Sequence, residues 1–202
     1  MNSDKKQRNI NNVFTKYNYI MTTAQLKEEG FYHADIVSLL DDAVIEKVKR
    51  GYYHYLQNDS GSEILIINKL FPDAVLCMET ALFYYEYTDR NPAEWNFAID
   101  KRVSKGRTKI DYPFITTYRV EPSILVLGET EGVIDGEPVR IYDIDRTICD
   151  ILRNMNKMDK EIFNKAIQRY VNDEQKNIPN LMKYAKILRV QKKVKDLIGV
   201  WL

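Results

Sequence analysis

Apolar positions in the first quarter of the chain fall into short groups of differing period. Ile10, Val13 and Phe14 recur at i, i+3 and i+4 within residues 5–16, the spacing of an amphipathic helix. After a break at Asn18, Tyr19-Ile20-Met21 makes a short strand-like step. Thr22 or Thr23 then caps a second helix over 24–29, expected to carry a carboxylate in its first turns, and Gly30 ends it. A third helix is predicted over 34–41, where Ile36, Val37, Leu39 and Leu40 are apolar. From Val44 to Tyr55 apolar and charged residues alternate about Gly51, as in a two-stranded ribbon.

The run Asn58-Asp59-Ser60-Gly61-Ser62 is rich in turn formers and contains no apolar residue, so it reads as a linker between domains at 1–57 and 58–202. Beyond it a helix over 63–71 stops at Pro72, a short buried strand covers 74–77, and a further helix covers 79–87. Strands at 94–99 and 114–120 flank a basic loop at 101–109. Strands at 131–134 and 139–142 flank Asp135-Gly136, a two-residue hairpin signal of the type I′ class. The remainder reads as helical over 146–153, 159–171, 178–188 and 190–198, with Pro179 in a first turn. The predicted fold class is therefore α+β. A winged helix-turn-helix comes first, and a mixed α/β C-terminal domain ending in a helical segment follows.

In a winged helix-turn-helix the third helix enters the major groove and the ribbon's cations meet phosphates. The candidate DNA-facing residues are Thr22, Thr23, Tyr32, His33, Ser38, Lys47, Lys49, Arg50 and Tyr52. Tyr53 and Tyr55 on the same ribbon fit core packing equally well. The stretch 32–41 has no Lys or Arg and carries Asp35 and Asp41, with Asp42 directly after, so base reading falls to Tyr32, His33 and Ser38 and phosphate contact to Lys47, Lys49 and Arg50. Tri-helical modules also dock proteins, and a protein-interaction module without DNA binding is the alternative reading.

Charge distribution sharpens this picture. The net charge of +1 hides an acidic segment, 56–100, with two basic against eight acidic residues. It also hides two basic ones: 101–119 has six basic residues against one acidic, and 155–202 has eleven against five. Such separation is expected of a charged partner surface. The candidates are Lys101, Arg102, Lys105 and Arg107 in the loop, and Lys183, Lys186, Arg189, Lys192 and Lys193 near the end. The terminal run competes between a solvated outer face, a nucleic-acid or toxin-related surface and, least favoured, a membrane-surface helix. No run approaches the roughly 18 apolar residues of a membrane span, and the first ten residues are polar and charged, so a cytoplasmic protein with no membrane partner is expected. Cys77 and Cys149 each lie in an apolar run and read as two reduced core thiols.

Candidate chemistry is sparse. An apolar strand followed by Asp143-Ile144-Asp145-Arg146-Thr147 has the D-x-D-x-T form of some phosphatases, in which the first Asp attacks phosphorus. Against that stand Arg146 and the short downstream chain, and the simpler reading is that Asp143 or Asp145 caps the helix that follows. His33 and His54 lie far along the chain from either Cys, and no glycine-rich phosphate loop is present, so no enzyme activity, metal or cofactor is expected. Glu79-Thr80 most simply begins a helix, with a polar surface role as the lesser reading.

Several segments together resemble the AbiEi family, the antitoxins of type IV toxin–antitoxin (abortive infection) systems. They are 21–26 (Met-Thr-Thr-Ala-Gln-Leu), the ribbon 45–53, and Phe71-Pro72-Asp73-Ala74-Val75 leading to Glu79-Thr80-Ala81-Leu82. The series continues with 141–153, which contains Tyr142-Asp143 and Arg146-Thr147-Ile148-Cys149-Asp150, and ends with 180–190. The resemblance implies a cytoplasmic phage-defence protein with two roles. Its winged helix represses its own operon by binding inverted repeats in double-stranded operator DNA. Its C-terminal antitoxin domain counteracts a nucleotidyltransferase-like toxin without forming a stable complex with it. Relatives usually carry basic residues in the third helix, and this chain does not.

Overall fold

A computed structural model of the chain describes residues 3–56 and 62–199, with side chains from residue 10 onward. The predicted linker, apart from Ser62, lies outside the described residues. The chain is a mixed α+β protein of two compact units. The first is Met1–Pro72 together with Ser104–Phe114, and the second is Asp73–Val103 together with Ile115–Leu202. The division therefore does not fall at 57/58. The helix after the linker and most of the basic loop belong with the first unit, where the loop's own main chain is bonded.

In the first unit the order is α1 (Ser3–Lys16), β1 (Ile20–Thr22), α2 (Thr23–Glu28), α3 (His33–Asp41), β2 (Ile45–Lys49), β3 (Tyr52–Tyr55) and α4 (Glu63–Leu70). Thr22 caps α2: its hydroxyl accepts from Gln25 N at 3.2 Å, and Gln25 Oε1 accepts from Thr22 N at 2.8 Å. The first turn of α2 holds no carboxylate, contrary to the expectation, because the neutral Gln25 completes the box. Gly30, at φ 87°, ends the helix in a Schellman pattern, with Gly30 N donating to Lys27 O and Phe31 N to Leu26 O. The three strands form an antiparallel sheet of order β1-β3-β2. The helices cover one face, burying Phe14, Met21, Leu26, Ile36 and Tyr55 in one cluster. Register slips between Lys47 and Lys49, so Val48 is an extra residue in β2, and it is fully buried.

The second unit is built on a five-stranded sheet of order β6-β5-β4-β8-β7. Its strands are β4 (Val75–Leu76), β5 (Trp95–Asp100), β6 (Ile115–Val120), β7 (Glu129–Ile134) and β8 (Glu137–Tyr142). Strand β4 runs antiparallel to β5 and parallel to β8, β5 pairs in parallel with β6, and β7–β8 is a hairpin. Asp135 and Gly136 take φ of 52° and 81° at its tip, as a type I′ turn requires. The helices are α5 (Met78–Tyr84), α6 (Pro122–Leu125), α7 (Ile144–Asn154), α8 (Lys160–Asn172), α9 (Ile178–Ile187) and α10 (Gln191–Leu197). Helix α6 was not anticipated; it is one turn long, with Pro122 in its first turn. Helix α7 lies in the core, with Ile148, Cys149, Ile151 and Leu152 all fully buried, and α9 and α10 add Leu181, Ala185 and Val194 to the same cluster. No described helix is long and apolar enough to cross a membrane.

Candidate nucleic-acid interface

In the first unit, α3 and the β2–β3 ribbon both carry exposed polar residues. Along α3, Ile36 and Leu39 point into the core, which leaves His33, Ala34, Val37, Ser38 and Asp41 on the exposed side. Tyr32, just before the helix, is 65% exposed and Val37 41%. The acids are partly spent within the helix. Asp35 accepts from Tyr32 N at 3.0 Å, at the positive end of the helix dipole, and Asp42 accepts from the Ser38 hydroxyl at 3.3 Å. The side that faces out thus carries aromatic, small and hydroxyl groups with two carboxylates, Asp41 and Asp42, at its C-terminal end.

The ribbon's side chains divide by face. Tyr55 is buried and stacks on Phe14 with ring centroids 5.3 Å apart, and Tyr53 packs against the same cluster. Core packing therefore accounts for both. Tyr52 and His54 fall on the opposite face of β3. His54 is 4% exposed and lies 2.9 Å through Nδ1 from Glu46 Oε1 across the strand pair, while its Nε2 is buried without a partner. Tyr52 is half-buried, opposite Thr22 on one side and Lys49 on the other. Lys47 and Arg50 are exposed.

Three of the expected DNA-facing residues are engaged within the fold. Thr22 is engaged in the helix cap, and Thr23 N donates to Gly51 O at 2.9 Å, tying the start of α2 to the ribbon turn. Lys49 Nζ donates to the carbonyl of Arg107 at 2.8 Å, and burial, with the Arg107 charge adding to it, lowers its pKa. Of the three ribbon cations, Lys47 and Arg50 face outward while Lys49 is a tether.

The other basic candidates separate as well. Lys101 pairs with Glu121, and Arg102 pairs with Asp100 at 2.6 Å, both within the second unit. Lys105 is exposed and Arg107 partly so, in a 3₁₀ turn, Lys105–Thr108, that belongs to the first unit. On the second unit Lys183, Lys186, Arg189 and Lys192 are exposed, whereas Lys193 is partly buried and donates to Leu152 O at 2.7 Å. Arg189 occupies the left-handed position after α9, at φ 59°.

The Asp143–Asp150 segment is internal. Asp143 caps α7, accepting from Arg146 N at 2.7 Å, and also accepts from the Tyr184 hydroxyl at 2.9 Å. Asp145 accepts from the Tyr170 hydroxyl at 2.8 Å and from Asn177 N at 2.9 Å. Arg146 is 1% exposed: Nε meets Asp150 Oδ2 at 3.1 Å, Nη1 donates to Ile124 O and Leu127 O, and the guanidinium lies 4.1 Å from the Tyr142 ring centroid. Burial raises the pKa of all three carboxyls despite these bonds. Thr80, also buried, accepts from Asn96 N at 2.8 Å. The spacing D-x-D-x-T points to this cap, but the buried Arg146 at its centre has no sequence signal beyond an arginine among apolar residues. Cys77 and Cys149 are buried free thiols, and burial raises both their pKa values.

A scan against protein-family models and a search of curated proteins find no match to the chain.

Proposed function

We propose that the first unit is a winged helix-turn-helix that binds double-stranded DNA, and that the chain is an autorepressing antitoxin of a type IV toxin–antitoxin system. The observation that carries the DNA reading is the element order α1-β1-α2-α3-β2-β3 with an antiparallel β1-β3-β2 sheet, whose ribbon turn exposes Lys47 and Arg50. In such modules the third helix offers side chains to base edges while ribbon cations hold the phosphates. The exposed side of α3 suits thymine-rich major groove, since Ala34 and Val37 offer apolar contact to thymine methyl groups. The antitoxin reading, with a nucleotidyltransferase-like toxin as functional partner, is supported by the AbiEi-like order of motifs alone. The second unit would carry that role.

The test is a gel-shift assay of the full chain on the DNA upstream of its own gene, beside a Lys47→Ala/Arg50→Ala variant. Binding by the wild type that weakens in the variant is the expected result, with the salt slope reduced by about 0.9 for each phosphate no longer neutralised. A wild-type chain that does not shift its upstream DNA overturns the repressor reading. A second reading, protein docking without DNA, draws on the exposed Tyr32 and Val37 at α3 and on the acidic Asp41 and Asp42 at its end. A partner that co-purifies through nuclease and high salt, and is lost with Tyr32→Ala, would select it.

A further inference from the structure

We propose that residues 104–114 form a second part of the phosphate-binding surface, joined to the ribbon so that Lys105 and Lys109 act with Lys47 and Arg50 on one DNA duplex. This rests on the DNA-binding reading above and names residues that chain order alone assigns to the other domain.

Three bonds within the first unit hold the segment. Asp111 N donates to Val48 O at 2.9 Å, and Lys49 Nζ donates to Arg107 O at 2.8 Å. Tyr112 donates its hydroxyl to the Glu63 carboxylate at the start of α4, and that bond, together with burial, pushes the phenol up to about 12. The first two bonds end on β2, one of the two outer strands of the β1-β3-β2 sheet. Val48 is the extra residue of the bulge, so its carbonyl lies outside the regular ladder and needs another donor. The Asp111 amide is that donor. A bulge that leaves an acceptor on an open edge, and a lysine whose ammonium reaches a carbonyl of the incoming segment, are the two parts of one docking arrangement.

The charge follows the docking. Between Ser104 and Phe114 stand Lys105, Arg107 and Lys109 against Asp111 alone. Lys105 and Lys109 are exposed, and neither has an ion-pair partner among the described residues. Lys49 reaches the Arg107 carbonyl, which sets the main chain of the segment beside the ribbon. The basic run 101–109 is thus divided: Lys101 and Arg102 are neutralised by Glu121 and Asp100, while the later cations are carried to the ribbon. A duplex, with phosphates at regular close spacing, is the partner that uses cations from two strand-linked elements together.

The experiment measures binding of a labelled DNA duplex by the full chain over a salt series, using fluorescence anisotropy. Three variants are compared with wild type: Lys105→Ser/Lys109→Ser, Lys47→Ala/Arg50→Ala, and Lys101→Ser/Arg102→Ser. The first is expected to lower the salt slope by about 1.8 and weaken binding about tenfold or more near 0.1 M salt. Its melting temperature should stay at the wild-type value, since both lysines are exposed. The third removes the same charge from the same run and is expected to leave the slope unchanged. Wild-type slope and affinity in Lys105→Ser/Lys109→Ser, beside a loss in Lys47→Ala/Arg50→Ala, overturns this inference and leaves DNA binding standing. An equal loss in the Lys101→Ser/Arg102→Ser variant also overturns it, because net charge then explains both. A wild-type chain that binds no duplex removes both readings.

Discussion

Two sets of cations, Lys47 with Arg50 in the first unit and Arg146 in the second, are used in opposite ways. In the first, Lys47 and Arg50 stand exposed on the ribbon, while Lys49 is drawn inward and bound to a main-chain carbonyl. In the second, Arg146 is almost wholly enclosed, with a carboxylate, two carbonyls and an aromatic ring around it. An exposed cation costs little to keep and is available to a partner. A buried one is held by everything that compensates its desolvation, and its removal strands those groups. Hence the segment most recognisable as a motif, 141–153, is an organiser of the fold, while the residues offered to a partner sit in less distinctive sequence.

The sharpest way to break this contrast is to exchange the expected consequences. Arg146→Ala should destabilise the protein by about 3–5 kcal/mol, because Asp150 is left as a buried carboxyl without its cation. Urea unfolding followed by circular dichroism measures it, and a loss below about 1 kcal/mol would mean that the enclosure contributes little. The Lys47→Ala/Arg50→Ala variant should unfold at the same urea concentration as wild type.

A smaller effect concerns protonation of Asp150. Its folded pKa is raised above the unfolded value of about 3.9, chiefly by burial. Between those two values the folded state holds the proton more firmly, so this group's contribution to stability falls as pH rises through the window. Asp150→Asn keeps an oxygen for Arg146 and does not titrate. The variant should therefore gain on wild type as pH rises from about 4 toward neutrality. A gain of about 1.4 kcal/mol corresponds to each tenfold by which the folded state binds the proton more tightly. Parallel urea midpoints for the two proteins across that range would show that burial does not dominate at this carboxyl.

The smallest expected change is at Arg189, an exposed residue held at φ 59° where a side chain is strained. Arg189→Gly should stabilise the second unit by about 1 kcal/mol, read as a small rise in melting temperature. An unchanged or lower melting temperature would show that this arginine is held by contacts worth more than the strain.

What was legible in the chain was local. Period and capping located the helices and strands of the first unit to within a residue or two, because Thr22, Gln25 and Gly30 act on neighbours in sequence. Asp135-Gly136 located the β7–β8 hairpin for the same reason. The sheet order β6-β5-β4-β8-β7 was not legible, since pairing of Leu76 with Ile141 leaves no periodic trace. Nor was the docking of Asp111 on Val48, which joins amide to carbonyl and imposes nothing on either side chain. The basic loop was visible as charge, but its division between two units depends on those main-chain bonds. The ribbon and the charge of the 101–109 loop were therefore readable from the chain, and the bonding of 104–114 to the ribbon was not.

Gly128 carries a further implication. Its φ is 73°, its carbonyl accepts from Asp143 N at 2.7 Å, and a methyl group placed on it would stand 2.6 Å from Arg146 Cβ. The space for the arginine exists only because this neighbour has no side chain. Position 128 is consequently not free to change while any residue but glycine stands at 146. The closest contact is with Cβ, which every residue except glycine carries, so a larger residue at 128 is excluded even when 146 is shortened to alanine. Gly128 should therefore be inherited more strictly than the Arg146–Asp150 pair, which can be exchanged as one unit while the glycine stays.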